Sequence, residues 1–234
     1  IRRADLLFCS GGGLEIGWLP VLLQRGASAR IQPGQPGYLM ATEYVSVLEK
    51  PASLDRSLGD IHPEGNPHVH LDARNMIPLA RELSHRLAHA DSGNGAVFTR
   101  RTEAFVRSWE QALSGWKNRA AQLKGMPVIV HHKSWSYLID WLGLRQVATL
   151  ELKPGIPPTA GHLNELLNLA RSGGIRAILR TPYDPPDASE WLSEKTGIPA
   201  VVLPFTVSQD AGPGALQSLF DETITALERA NAKR

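Results

Sequence analysis

The chain has 234 residues, of which 42% are apolar and 21% charged, with a formal charge of +2. That composition suits one large globular domain or two lobes with separate cores. It excludes a disordered chain, a membrane span of roughly 18 consecutive apolar residues, and the strongly basic face that would recommend nucleic acid as a partner.

The first residues, Ile1 to Asp5, carry neither an initiator methionine nor a signal-peptide core, so a processed or truncated product is expected. Leu6 to Cys9 reads as a buried strand, stopping at Ser10-Gly11-Gly12-Gly13 and followed by a helix from Glu15 to Gln24. The glycines fit neither phosphate-loop nor dinucleotide spacing. Cys9 is the single cysteine, which leaves no internal disulfide and no thiolate metal cage; it is expected as a small buried hydrophobe. From Arg30 to Pro67 a Gly- and Pro-rich stretch is expected as a long loop with one strand near Tyr44 to Leu48.

Asp72 is placed to cap a helix whose apolar positions Met76, Leu79, Ala80, Leu83 and Leu87 recur at three and four residues. A second helical stretch runs from Thr99 to Leu123, with Phe105, Trp109, Leu113, Trp116, Ala120 and Leu123 on one stripe. At about 1.5 Å per residue it reaches roughly 37 Å, the length of a whole small lobe. Strands and helices then alternate: strand 128–130, helix 135–141, strand 147–150, helix 160–171, strand 177–179, helix 188–195, strand 200–203 and helix 214–230. Thr159 is a helix cap, and Asp187 with Glu190 a capping pair. Such alternation predicts a parallel sheet covered on both faces, with ligands at the carboxyl ends of its strands.

Five of the eight histidines gather in two places: His62, His68 and His70 on the Gly/Pro loop and its exit, and His131 and His132 at the end of the run Val128 to Val130. A lone histidine is by default a surface or core residue, but imidazole is also the commonest ligand for zinc, and a site draws three or four ligands from separate segments.

Placed on these elements, the chain resembles the solute-binding proteins of metal-ion ABC transporters, which capture zinc, manganese or iron. Ala4-Asp5-Leu6-Leu7 through Gly13-Leu14-Glu15 and Trp18-Leu19 is similar to that family's "aDlv…nGlglE.wl". Asn66-Pro67-His68-Val69-His70-Leu71-Asp72 resembles "dPHvWLDp", and Val130 to Tyr137 followed by Gly143-Leu144 resembles "vvyHdsfgYla…yGL". The last two elements together are specific.

The resemblance implies an α/β protein of two lobes, each a mainly parallel sheet flanked by helices, joined by one long backbone helix. The expected division is an amino-terminal lobe at 1–98, lacking its first strand and helix, a connecting helix at 99–124, and a carboxy-terminal lobe at 125–234. It implies metal capture in the cleft between lobes, with His68 as ligand from the first and His132, five residues before Tyr137, from the second. His131 points to the opposite face by strand alternation, and His70 stands at the family's Trp position, a packing site. The family's further ligand histidine lies upstream of the segment matched by Ala4 to Leu7. Its late aspartate has no counterpart in Val202 to Val207, and Asp210 just beyond reads as a solvated loop residue. His62 is therefore the candidate auxiliary ligand.

The implied function is extracytoplasmic, periplasmic capture of a divalent ion by a monomer that delivers it to an ABC permease. Imidazoles without a certain carboxylate favour zinc over manganese. Neutral imidazoles bind metal, so affinity is expected to fall as pH drops through about 6.5, the ordinary histidine value. The rivals are a zinc hydrolase built on His68-Val69-His70 with Asp72, and a metal-binding adhesin.

Overall fold

The computed structural model describes residues 1–51, 62–153, 155–208 and 210–232. The middle of the long loop expected between Arg30 and Pro67, including Asp60 and Ile61 just before His62, lies outside the described residues. The chain divides into two compact units, whose described residues are 1–51 with 62–111, and 112–153 with 155–208 and 210–232.

In the first unit, strands β1 (Leu7–Cys9) and β2 (Tyr38–Met40) pair in parallel, Leu7 opposite Tyr38 and Cys9 opposite Met40. Helix α1 (Leu19–Gln24) buries Leu19 and Leu23 against Ile31 and Met40, with Leu7, Cys9 and Tyr38 packed around them. The helix starts four residues later than Glu15, and two local causes explain the delay. Pro20 lacks an N–H and belongs in a first turn. Glu15 is pulled back, its carboxylate accepting hydrogen bonds from the backbone N–H groups of Ser10 (2.9 Å) and Gly11 (3.1 Å).

The strand expected at Tyr44 to Leu48 does not form. A short 3-10 turn over Ala41–Glu43 precedes this stretch, the Leu48 carbonyl accepts from the Asn66 N–H, and the Tyr44 hydroxyl accepts from the Arg86 guanidinium. With its end carbonyl paired to Asn66 and the Tyr44 N–H to Ala41, the segment is held by partners other than a neighbouring strand. Asp72 does cap, with Oδ1 accepting from the Arg74 N–H at 2.8 Å, but it caps a 3-10 turn at Ala73–Asn75 that leads into α2 (Met76–Ala90).

Helix α3 (Gly95–Ala120) has 26 residues, about 39 Å at the standard rise, and its chain passes from the first unit into the second after Gln111. Within the second unit Trp116 of α3 meets Trp141 and Phe220 at ring-centroid distances of 6.0 and 5.4 Å. Its indole N–H donates to Asp221, and Arg119 one turn on pairs with Asp221 and Glu228.

That unit contains β3 (Pro127–Val130), α4 (Ser136–Leu142), β4 (Arg145–Thr149), α5 (Ala160–Arg171), β5 (Ala177–Arg180), α6 (Asp187–Thr196), β6 (Ala200–Val202) and α7 (Ala215–Ala232). All pairings are parallel and the strand order is β4-β3-β5-β6. Ile129 and Ile178 face a core made with Leu166 and Ala170 of α5 and Leu192 of α6. Val128, Val130, Ala177 and Leu179 alternate with them and are also buried, so both faces are covered. Thr159 caps α5 by accepting from the His162 N–H at 3.2 Å. Asp187 does not cap α6: Pro186 stands at the cap, and Asp187 lies in the first turn, where its charge suits the helix dipole.

Candidate metal centre

His68 is held by its backbone. Gly65 sits at φ +104°, and a Cβ there would lie 2.5 Å from Val47 Cγ1 and 2.8 Å from the Leu48 carbonyl oxygen, so only glycine lets the two segments touch. Asn66 then clamps them: its N–H donates to the Leu48 carbonyl (2.9 Å), its Nδ2 to Glu49 (2.9 Å), and its Oδ1 accepts from the His68 N–H (3.0 Å). His68 opens the 3-10 turn Val69–Leu71, half-buried, with Nδ1 shielded from solvent. The turn is fixed from below, where the buried Trp109 indole N–H of α3 donates to the Ala73 carbonyl at 2.7 Å. Asp72 forms a two-pronged ion pair with Arg74.

His70 packs edge-on against the His68 ring, 6.2 Å between centroids. His62 is half-buried, and its carbonyl accepts from the Gly65 N–H at 3.0 Å. His62, His68 and His70 all belong to the first unit.

In the second unit the sheet reverses its order between β3 and β5, and the carboxyl ends at such a switch point are where open α/β sheets bind ligands. His131 and His132 follow β3 directly. The strand's hydrogen bonding extends one residue further, with the His131 N–H donating to Leu179 (2.7 Å) and the Glu151 N–H to His131 (3.1 Å). Glu151 is thereby set beside the histidine pair, at the end of β4. Its Oε2 lies 2.8 Å from His132 Nδ1 and accepts from the Gly155 N–H at 3.1 Å, while Oε1 lies 3.6 Å from His131 Nε2. Strand alternation therefore does not send the two imidazoles apart, because β3 ends at Val130 and both rings approach one carboxylate. His131 is buried and His132 keeps 26% of its side chain exposed.

Glu151 is the residue that motif reading missed. Its signal was an acidic side chain one position beyond a predicted strand, at the carboxyl edge where ligand chemistry collects. Asp210 is exposed, as expected of a loop aspartate. Asp184 is engaged, accepting from the Thr181 N–H at 2.6 Å beyond β5. Among the described residues no three His, Cys, Asp or Glu side chains gather closely enough to hold an ion.

The family model for the periplasmic component A of the zinc-uptake complex, ZnuA, matches residues 1–230. No curated protein matches the chain significantly. Among solved structures, a zinc-bound deletion mutant of ZnuA aligns at TM-score 0.78 and 20% identity, covering 100% of this chain and 81% of that one. A cadmium-bound periplasmic metal-binding protein from Candidatus Liberibacter asiaticus aligns at TM-score 0.73 and 17% identity over 97% of this chain and 81% of that one. The manganese complex of the solute-binding protein FpvC from Pseudomonas aeruginosa aligns at TM-score 0.70 and 18% identity, covering 97% and 79%. At these identities the structures speak for the fold: α/β, with parallel sheets flanked by helices and one long helix. The family model speaks for the lineage, whose members are transport binding proteins and not enzymes. The hydrolase alternative is thereby corrected. The chain belongs to the ZnuA family of periplasmic zinc-uptake components, solute-binding proteins of metal-ion ABC transporters.

Proposed function

We propose that this chain captures a divalent transition-metal ion in the periplasm, zinc in preference to manganese, and passes it to an ABC permease. His68 and His132 supply imidazole nitrogens and His62 is the auxiliary ligand. The reading is supported by a chain-long match to a zinc-uptake family in which the two motif histidines are each anchored: His68 through Asn66, His132 through Glu151. Imidazole suits zinc, whereas manganese prefers a donor set richer in oxygen. The solved relatives carry zinc, cadmium or manganese, which is the range such a site spans.

Equilibrium titration of metal-stripped protein with zinc, against a chelating competitor, tests the assignment. One ion binds per chain. His68→Ala and His132→Ala each lower affinity by at least about a hundredfold, since each removes one of few ligands, and His62→Ala lowers it by less. Full affinity in both of the first two variants overturns the assignment, and stronger retention of manganese in direct competition overturns the preference for zinc.

A further inference from the structure

Resting on that reading, we infer that Glu151 is the positioning residue that fixes the tautomer and ring orientation of His132, presenting Nε2 to the metal. Ionised, a carboxylate accepts hydrogen bonds and donates none, so the His132 nitrogen 2.8 Å from Oε2 must carry the proton. With the proton on Nδ1, the lone pair belongs to Nε2, the nitrogen on the far side of the ring.

The carboxylate itself is well held. Only 13% of the Glu151 side chain is exposed, the Gly155 N–H donates to the same oxygen, and the Glu151 backbone is tied to the His131 carbonyl. The buried His131 ring flanks the second oxygen at 3.6 Å, beyond a good hydrogen bond, so it limits the carboxylate's rotation more than it competes for it. Glu151 thus follows β4, the neighbour in the sheet of the strand that His132 follows. That arrangement removes the ring's rotational freedom before any ion arrives, and outer carboxylates of this kind are worth about 10- to 100-fold in metal affinity.

The test separates orientation from metal uptake. In metal-free full-length protein, nitrogen-15 NMR of the His132 ring should report the Nδ1–H tautomer. Glu151→Ala should shift it toward Nε2–H and weaken zinc binding about 10- to 100-fold. Glu151→Gln keeps an accepting oxygen and the side-chain shape, so it should retain the tautomer and lose less affinity; being nearly isosteric, it also answers the question if the alanine variant folds poorly. X-ray absorption of the zinc complex should show the same number of imidazoles, and no lost oxygen ligand, in both variants. An Nε2–H tautomer in the unmodified protein overturns the inference. So does zinc affinity within about twofold of normal in Glu151→Ala while His132→Ala binds poorly, or an oxygen ligand that disappears with Glu151. Unmodified protein that takes up no zinc defeats the functional reading instead, and a tautomer insensitive to Glu151→Ala then defeats this inference as well.

Discussion

Cys9 and Glu15 show how one short turn sets the chemistry of its residues. Burial first, and the negative charge of Glu15 second, push the Cys9 thiol from an ordinary 9.0 to about 11. The thiolate is the reactive form, so at pH 8 it should be about a hundredfold scarcer than in the unfolded chain. Iodoacetamide labelling followed by mass spectrometry should show native Cys9 reacting about a hundredfold more slowly than in urea, with the native rate climbing until the pH nears 11. Equal rates in both states would contradict the burial. Glu15 accepts two backbone N–H groups while itself buried, so Glu15→Ala strands both donors. The expected loss is about 1–3 kcal/mol in urea unfolding. The packing of Cys9 against apolar neighbours was legible, although it is half-buried and not the buried hydrophobe expected. The retention of Glu15 by the turn was not, because a Glu at that point also reads as an ordinary first-turn residue of a helix.

At the scale of elements, the period of the chain was a good guide wherever the element stood between its own start and stop signals. The helix Ala160–Arg171 lies where periodicity and Thr159 put it, and β3, β5 and α7 differ from expectation by a residue or two. Thr159→Ala should cost about 1 kcal/mol, the usual worth of an N-cap, read as a lowered midpoint of unfolding without a change in slope. The segment from Tyr44 to Leu48 went the other way, because an apolar run becomes a strand only if another strand is there to pair with it. Its carbonyl at Leu48 pairs with Asn66 instead. Gly65→Ala tests that junction. Its Cβ would press on Val47 and on the Leu48 carbonyl at a left-handed φ, so a loss of about 1–3 kcal/mol is expected, together with weaker zinc binding through the displaced His68. Normal stability would show that the two segments do not need to touch.

For the whole molecule the proposed ligand set has a thermodynamic consequence. An ion that binds only the folded chain stabilises it by about 2.7 kcal/mol at a hundredfold excess over Kd, or roughly 5–10 °C in Tm for a chain of this size. Calorimetry with and without zinc should show that shift in the unmodified protein and its loss in His68→Ala and His132→Ala; a shift surviving in both would remove these histidines from the site. By itself the sequence determined the α/β character, the order of most elements, the long helix and the two histidine clusters, because periodicity, capping residues and motif spacing are local and survive in one dimension. Only the tertiary structure decided that Asn66 clamps His68 to Leu48 and Glu49, and that Glu151 meets His132. Those partners are joined by loop closure and by neighbouring strands of a sheet, and nothing in the spacing of residues along the chain records which strand ends lie side by side.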